Sequence, residues 1–152
     1  MESLAETLQG AFASLVNIMR GRRGIFSQLG VLTLDRARLS LCDAEDVSLF
    51  DLPVSSVQAR LQRRPLAVHQ IFFQVHAGDR WWYLAAHVPT KYERTSTREL
   101  RARHDARQLA PRPTGMDDAT YARLTKNPTS HQVLWVACWM EALNRAGAQS
   151  PG

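Results

Sequence analysis

The residues of this chain that could do chemistry are few and scattered. Asp43, Glu45 and Asp46 stand together in "CDAEDV". Closely spaced carboxylates can hold a hard cation, but a calcium loop also needs a glycine at its sharp turn and a distal glutamate, and neither is present at the required spacing. Flanked by apolar-alternating runs, such acids read as turn formers. Of the five histidines, His69 and His87 lie where neighbouring strands would bring them opposite each other, and only if those strands pair with an even register sum. Two imidazoles without a third ligand make a poor zinc site. The two cysteines, Cys42 and Cys138, belong to no CxxC pair, so they frame neither a metal site nor a disulfide ladder. That usage fits a reducing cytosol. There is no GxSxG, no P-loop, no GxGxxG after a strand and no HExxH. The sequence therefore points to a protein that is not an enzyme and uses no cofactor.

Recognition chemistry is better represented. "IFFQVHAGDRWWYLAAH" concentrates aromatic bulk in one hairpin, and the 90–114 segment concentrates charge. In that segment Lys91, Arg94, Arg98, Arg101, Arg103, Arg107 and Arg112 outnumber Glu93, Glu99 and Asp105, so it carries most of the chain's net charge of +5. Arginines in such a run can track phosphates. Only Tyr92 interleaves with them, and no recognition helix, KH loop or RNP-like strand accompanies them. All but Lys91 and Lys126 of the 19 basic residues are arginine, a skew that GC-rich codon usage produces by itself.

These residues must be positioned by a chain of 152 residues with 45% hydrophobic and 22% charged composition, sufficient for one domain with one core. The N-terminal "MESLAETLQGAFASL" carries Glu2 and Glu6 where a secretory signal would be basic, and no run of about 18 apolar residues occurs anywhere. The expected location is the cytoplasm, with peripheral membrane contact as the alternative.

Ser3 and Glu6 have capping-box spacing, and Leu4, Leu8, Ala11, Phe12, Leu15 and Met19 follow at helical spacing up to Gly21. The spacing predicts an amphipathic helix over 1–23 that packs on the protein's own sheet. From Gly24 the period changes to two. Strands are predicted at Ile25–Leu34, Arg38–Asp43, Val47–Leu52, Val57–Arg63, His69–His76 and Arg80–Val88, with turns at "DRA", "AED", Pro53, Pro65 and "AGD". Short connections make sequential neighbours antiparallel. In the fifth strand Ile71, Phe73 and Val75 form the core face. The sixth has bulk on both faces: an odd register sum sends Trp82, Leu84 and Ala86 inward, and an even one sends Trp81, Tyr83 and Ala85. In either case a tryptophan faces outward beside Phe72, with the N-terminal helix as the expected cover.

The 90–117 connection is polar and proline-rich; a connection this long is usually either functional or disordered, and a mobile, solvated loop is the expectation here. A polar helix over Thr97–Leu109 would have only Leu100, Ala102, Ala106 and Leu109 with which to dock. Ser130 is placed to cap a helix ending at Ala146 before Gly147, apolar over most of its circumference and suited to plugging a core. Residues 147–152 read as a disordered tail.

Taken in order, "GVLTLDRARLSL", "SLFDLPVSSVQARL", "FFQVHAGDRWWYLAA" and "HQVLWVACWMEAL" resemble bacterial PH-like (GRAM-like) domains. The resemblance is carried by Gly30, Leu32, Leu34 and Leu39 of the first hairpin pattern and by Phe50, Leu52, Pro53 and Val57 of a later strand. It spans about 25–88 and 130–146. It implies an α+β fold: a curved, partly open antiparallel β-barrel of six to seven strands, closed at one end by a C-terminal helix. The N-terminal helix and the arginine-rich connection depart from the family pattern. So does the missing strand before the last helix, for which residues around Lys91–Thr95 are the candidates.

The resemblance also implies a binding module without catalytic residues. Its eukaryotic members often grip inositol phosphates through basic residues in the first hairpin loop. Here that loop is Asp35, Arg36 and Ala37, leading into Arg38, too short and too acidic at its start for that role. The expected function is protein–protein interaction or scaffolding. Its expected contact residues are Phe72, Trp81 and Trp82 on the aromatic hairpin and Arg98, Arg101, Arg103 and Arg107 in the basic segment. The rival expectations are an anionic-lipid binder using Arg20, Arg22, Arg23 and the same basic loop, and, more remotely, a nucleic-acid binder.

Overall fold

The structure is a computed structural model and describes residues 12–19, 27–61, 72–87, 94–104, 116–126 and 128–149. Seven strands form one antiparallel sheet: β1 (Phe12–Met19), β2 (Ser27–Asp35), β3 (Arg38–Asp43), β4 (Ser48–Pro53), β5 (Gln58–Leu61), β6 (Phe72–Ala77) and β7 (Arg80–Ala86). Their order across the sheet is β4-β3-β2-β1-β7-β6-β5. Among the described residues, two meanders, β2–β4 and β5–β7, are therefore joined only through β1, and the sheet does not close, because β4 and β5 stand at opposite ends. A 3-10 turn at Val54–Ser56 links those two ends in the chain. Three helices follow the sheet among the described residues: α1 (Thr95–His104), α2 (Asp118–Lys126) and α3 (Pro128–Ala146). None is long and apolar enough to cross a membrane.

Phe12–Met19 is a strand where the sequence predicts a helix; Leu4, Leu8 and Ala11, which complete the helical pattern, lie outside the described residues. The reason is burial on both faces. Val16 and Ile18 enter the main core, while Ala13 and Leu15 face the other way, into a second cluster with Val31 and Leu100. A strand covered on both sides loses its apolar-polar alternation. In "FASLVNIM" the surviving apolar positions happen also to fit a helix. This strand brings the sheet to seven among the described residues; of the Lys91–Thr95 candidate, Thr95 begins α1, and residues 91–93 lie outside the described residues.

The six other strands follow their predicted positions, and Arg38–Asp43 has the predicted bounds. The β6–β7 register is the odd one, with Val75 opposite Trp82 and His76 opposite Trp81. Trp82, Leu84 and Ala86 thus join Phe73 and Val75 in the core. The odd register also removes the basis for pairing His69 with His87. His87 lies with Nδ1 3.3 Å from Asn17 Oδ1, and His69 is outside the described residues.

Helix α3 fills the inner face of the sheet as its composition demands. Trp135 and Trp139 are completely buried, with ring centroids 5.6 and 6.4 Å from that of Phe73. Trp139 Nε1 donates to the buried Ser14 hydroxyl at 3.1 Å, which ties the helix to β1. The helix starts at Pro128, two residues before the expected Ser130 cap, as a first-position proline allows. It ends at Gly147, whose φ of +108° suits glycine; the amides of Gly147 and Ala148 then donate to the carbonyls of Asn144 and Leu143. This turn lays the next residues on the β5 edge, where Gln149 exchanges backbone hydrogen bonds with Val57 and Ala59 at 2.9 Å. The start of the expected disordered tail is therefore paired.

Of the 90–117 connection the described residues are 94–104 and 116–117, and Thr95–His104 form a helix. Helix α1 docks on the outer face of the sheet through buried Thr97 and Leu100. One leucine suffices because the sheet supplies Ala13, Leu15 and Val31 as its partners.

Gly30 lies where β1, β2 and β3 meet. A Cβ there would stand 2.7 Å from the Cys42 carbonyl oxygen and 2.7 Å from Ile18 Cδ1. Gly30→Ala should lower unfolding free energy by about 1–3 kcal/mol, the range for overpacking a filled site. Denaturant titration checks this, and a change within about 0.5 kcal/mol would show that the backbone there yields.

Candidate functional site

Two surfaces of the sheet carry side chains beyond what the fold needs. The first is the outer face of β5–β7. Alternation places Arg60, His76 and Trp81 on this face, opposite the core set. The Arg60 guanidinium lies over the Trp81 ring, 3.9 Å from its centroid, and donates through Nε to Gln74 Oε1 at 2.7 Å. The His76 ring meets Trp81 edge-on at 5.1 Å. Trp81 is half-buried among these polar groups, and Leu61 is exposed at the end of β5.

Of the aromatic residues expected here, Trp81 takes the outward position. Trp82 does not: it is only 8% exposed and packs 5.7 Å from Phe50, with Arg80 over its ring. The odd register puts it on the core face, so it cannot serve as a surface anchor. The Phe72 backbone pairs with Ala85; its side chain lies outside what is described. The cover expected over this face from an N-terminal helix is not formed by residues 12–19, which are in the sheet.

The second surface is where α1 meets the β3–β4 hairpin. Asp43 builds the hairpin turn: its Oδ1 accepts the amides of Glu45 and Val47, both at 2.9 Å. Asp46 follows with φ +64°, a left-handed conformation that aspartate tolerates better than most residues. The strand pairing also slips at Leu41/Cys42, a bulge that re-aims side chains next to the turn. The result turns Asp46 toward the last turn of α1. There Asp46 Oδ1 is hydrogen-bonded to His104 Nε2, and Asp46 Oδ2 pairs with Arg103 Nε at 2.9 Å. Arg103 also donates to the Ala44 carbonyl at 3.0 Å. Cys42 Sγ lies 4.0 Å from His104 Nε2.

The ligand atoms of Cys42, Asp46 and His104 all fall within 4.8 Å of one another. Among the described residues they form one group of three metal-capable side chains. The sequence gives no hint of this, because His104 stands 58 residues from Asp46. The acids at 43–46 divide their roles: Asp43 is the turn former expected, and Asp46 reaches across to the helix.

The basic residues separate in the same way. Arg98 is exposed on α1, Arg101 is partly buried with interactions of its own, and Arg103 is committed to Asp46 and Ala44. Arg107, like Arg20, Arg22 and Arg23, lies outside the described residues. No family model matches this chain, and no curated protein matches it in sequence.

Burial pushes the Cys42 thiol above its ordinary pKa of 9.0, and the Asp46 carboxylate pushes it further. Cys138, 2% exposed in α3, is pushed up to about 12 by burial, with Glu141 adding to the effect. At neutral pH both are thiols, and Cys42 alone is accessible. Iodoacetamide should label Cys42 slowly in the native protein and Cys138 only after unfolding; equal native labelling would contradict this burial. A thiol that holds its proton in the folded state and loses it near pH 9 when unfolded binds more protons folded than unfolded. Its stabilising contribution is intact below pH 9 and is lost as pH rises toward 12. The stability gap between wild type and Cys138→Ala should therefore shrink above pH 9, by up to about 1.4 kcal/mol per pH unit. A gap independent of pH would contradict the shift.

Proposed function

We propose that this protein is a PH-like binding module of the bacterial cytosol that acts through protein–protein contact rather than catalysis, and that it docks its partner on the outer face of β5–β7. The open seven-stranded antiparallel sheet with a C-terminal helix against its inner face supports the PH-like assignment. The observation that carries the functional part is Trp81, a large aromatic on the solvent side of the sheet, held between Arg60 and His76 rather than packed into the core. Tryptophan and arginine are the side chains that most often dominate interface energies. Preassembled as a cation-π pair, they lose little conformational freedom on docking.

The fitting partner is a protein segment that presents an apolar side chain to Trp81 and Leu61 and a carboxylate to Arg60. Arg98 and its neighbours on α1 add long-range attraction for such an acidic partner, which speeds encounter more than it tightens the complex. This basic surface would be smaller than the sequence suggests, since Arg103 is neutralised by Asp46.

The test is affinity capture from native lysate at physiological salt, with wild type, Trp81→Ala and, as a control, Arg38→Ala. Arg38 forms an exposed pair with Asp51 on the β3–β4 side of the sheet. The expected result is a protein retained by wild type and Arg38→Ala but weakened about 30-fold or more by Trp81→Ala, the size of a hot-spot loss. Retention of the same proteins by all three would place the docking surface elsewhere. Flotation of wild type with anionic vesicles, abolished by salt, would favour the lipid alternative instead.

A further inference from the structure

We propose that Cys42, Asp46 and His104 form a zinc-binding site that fastens helix α1 to the β3–β4 hairpin. The donor set is the first reason. One thiolate sulfur, one imidazole nitrogen and one carboxylate oxygen are the three ligand types that zinc accepts in proteins. A sulfur donor and only one facing carboxylate argue against calcium or magnesium, which select oxygen.

The geometry is the second reason. Tetrahedral zinc with bonds of about 2.0–2.3 Å holds its ligand atoms about 3.3–3.6 Å apart. The three atoms here lie within 4.8 Å of one another, and the sulfur–nitrogen distance is 4.0 Å. The sulfur and nitrogen must close by a few tenths of an ångström. His104 Nε2 and Asp46 Oδ1 must open from a hydrogen bond to about 3.4 Å. Both changes are side-chain rotations. The backbones are already placed: Cys42 in β3, Asp46 in a turn built by Asp43, and His104 in a helix docked through Leu100.

The surroundings are the third reason. Arg103 holds Asp46 Oδ2 at 2.9 Å and is itself fixed by the Ala44 carbonyl, which leaves Oδ1 for the ion. An outer partner of this kind orients a ligating carboxylate. Its positive charge opposes a cation, but a thiolate and a carboxylate together balance the charge of Zn2+, and Asp43 stands beside them. Asp46 and His104 are partly exposed, so the ion has an entry path and a water can complete four-coordination. On binding, the Cys42 thiol gives its proton to solvent, as thiolate ligation requires, and His104 ligates through Nε2 as a neutral imidazole with its ring proton on Nδ1.

The experiment uses the full chain after chelator treatment, titrated with Co2+ as an optical substitute and then with Zn2+. The expected result is one equivalent of Co2+ with a sulfur-to-cobalt charge-transfer band, displaced by Zn2+ and accompanied by a rise in thermal midpoint. Cys42→Ala should abolish the band, His104→Ala and Asp46→Asn should weaken binding at least tenfold, and Cys138→Ala should leave it intact. Where a variant fails to fold, wild type alone decides: one equivalent of Zn2+ should slow alkylation of Cys42 at least tenfold. A featureless Co2+ titration, a band that survives Cys42→Ala, or alkylation of Cys42 indifferent to Zn2+ would overturn the proposal.

Discussion

Burial of β1 on both faces is the constraint on which the rest of the molecule depends. Among the described residues the two meanders share no other strand, so without Phe12–Met19 the described sheet would fall into two halves, each with an apolar edge open to water. Val16 and Ile18 close the inner core beneath Trp135 and Trp139, and Ala13 and Leu15 create the outer patch that α1 covers. Leu15, Val16 and Ile18 each contribute about 1.5–3 kcal/mol when fully buried, and β1 buries them in both directions at once. Its single buried hydroxyl, on Ser14, is matched to the Trp139 indole, so the strand leaves no polar side chain unmatched on the face that α3 covers.

That arrangement divides the outer surface into two regions of different character. On the β1–β3 side, α1 lies against the sheet, anchored at one end by Leu100 and at the other by the Arg103 and His104 contacts to Asp46. Cys42 is drawn into the same cluster. On the β5–β7 side the surface is polar and aromatic, centred on Trp81, Arg60 and His76. The first region is built from long-range contacts that fix a helix. The second is built from one sheet face whose members are neighbours in register. The proposed metal site belongs to the first and the proposed docking surface to the second, so each can be disturbed without the other.

Much of the architecture was legible in the sequence where one face of an element meets water. Strands β3 to β6 kept their alternation, the acids at 43–46 marked a turn, and α3 announced itself by apolar residues over most of its surface. The elements that escaped did so for physical reasons. β1 has no wet face, so its period-two signal is erased and a helical spacing shows through. The α1 helix docks by one leucine, which a polar sequence does not advertise. Trp82 and Trp81 were interchangeable until the turn at Gly78, with φ +70°, fixed the odd register. The Cys42–Asp46–His104 cluster was invisible because it depends on that unadvertised docking: no local spacing connects a hairpin turn with the last turn of a helix 58 residues away.

The most direct measurement is of interproton contacts in solution by NMR, directed at β1. The central role of this strand predicts cross-strand contacts from Val16 to both Gly30 and Ala86, together with contacts between Leu15 and Leu100. Sequential helical contacts through Phe12–Met19 in their place would contradict it. The sheet would then be two separate meanders, and the outer surface that α1 and Trp81 divide between them would not exist in this form.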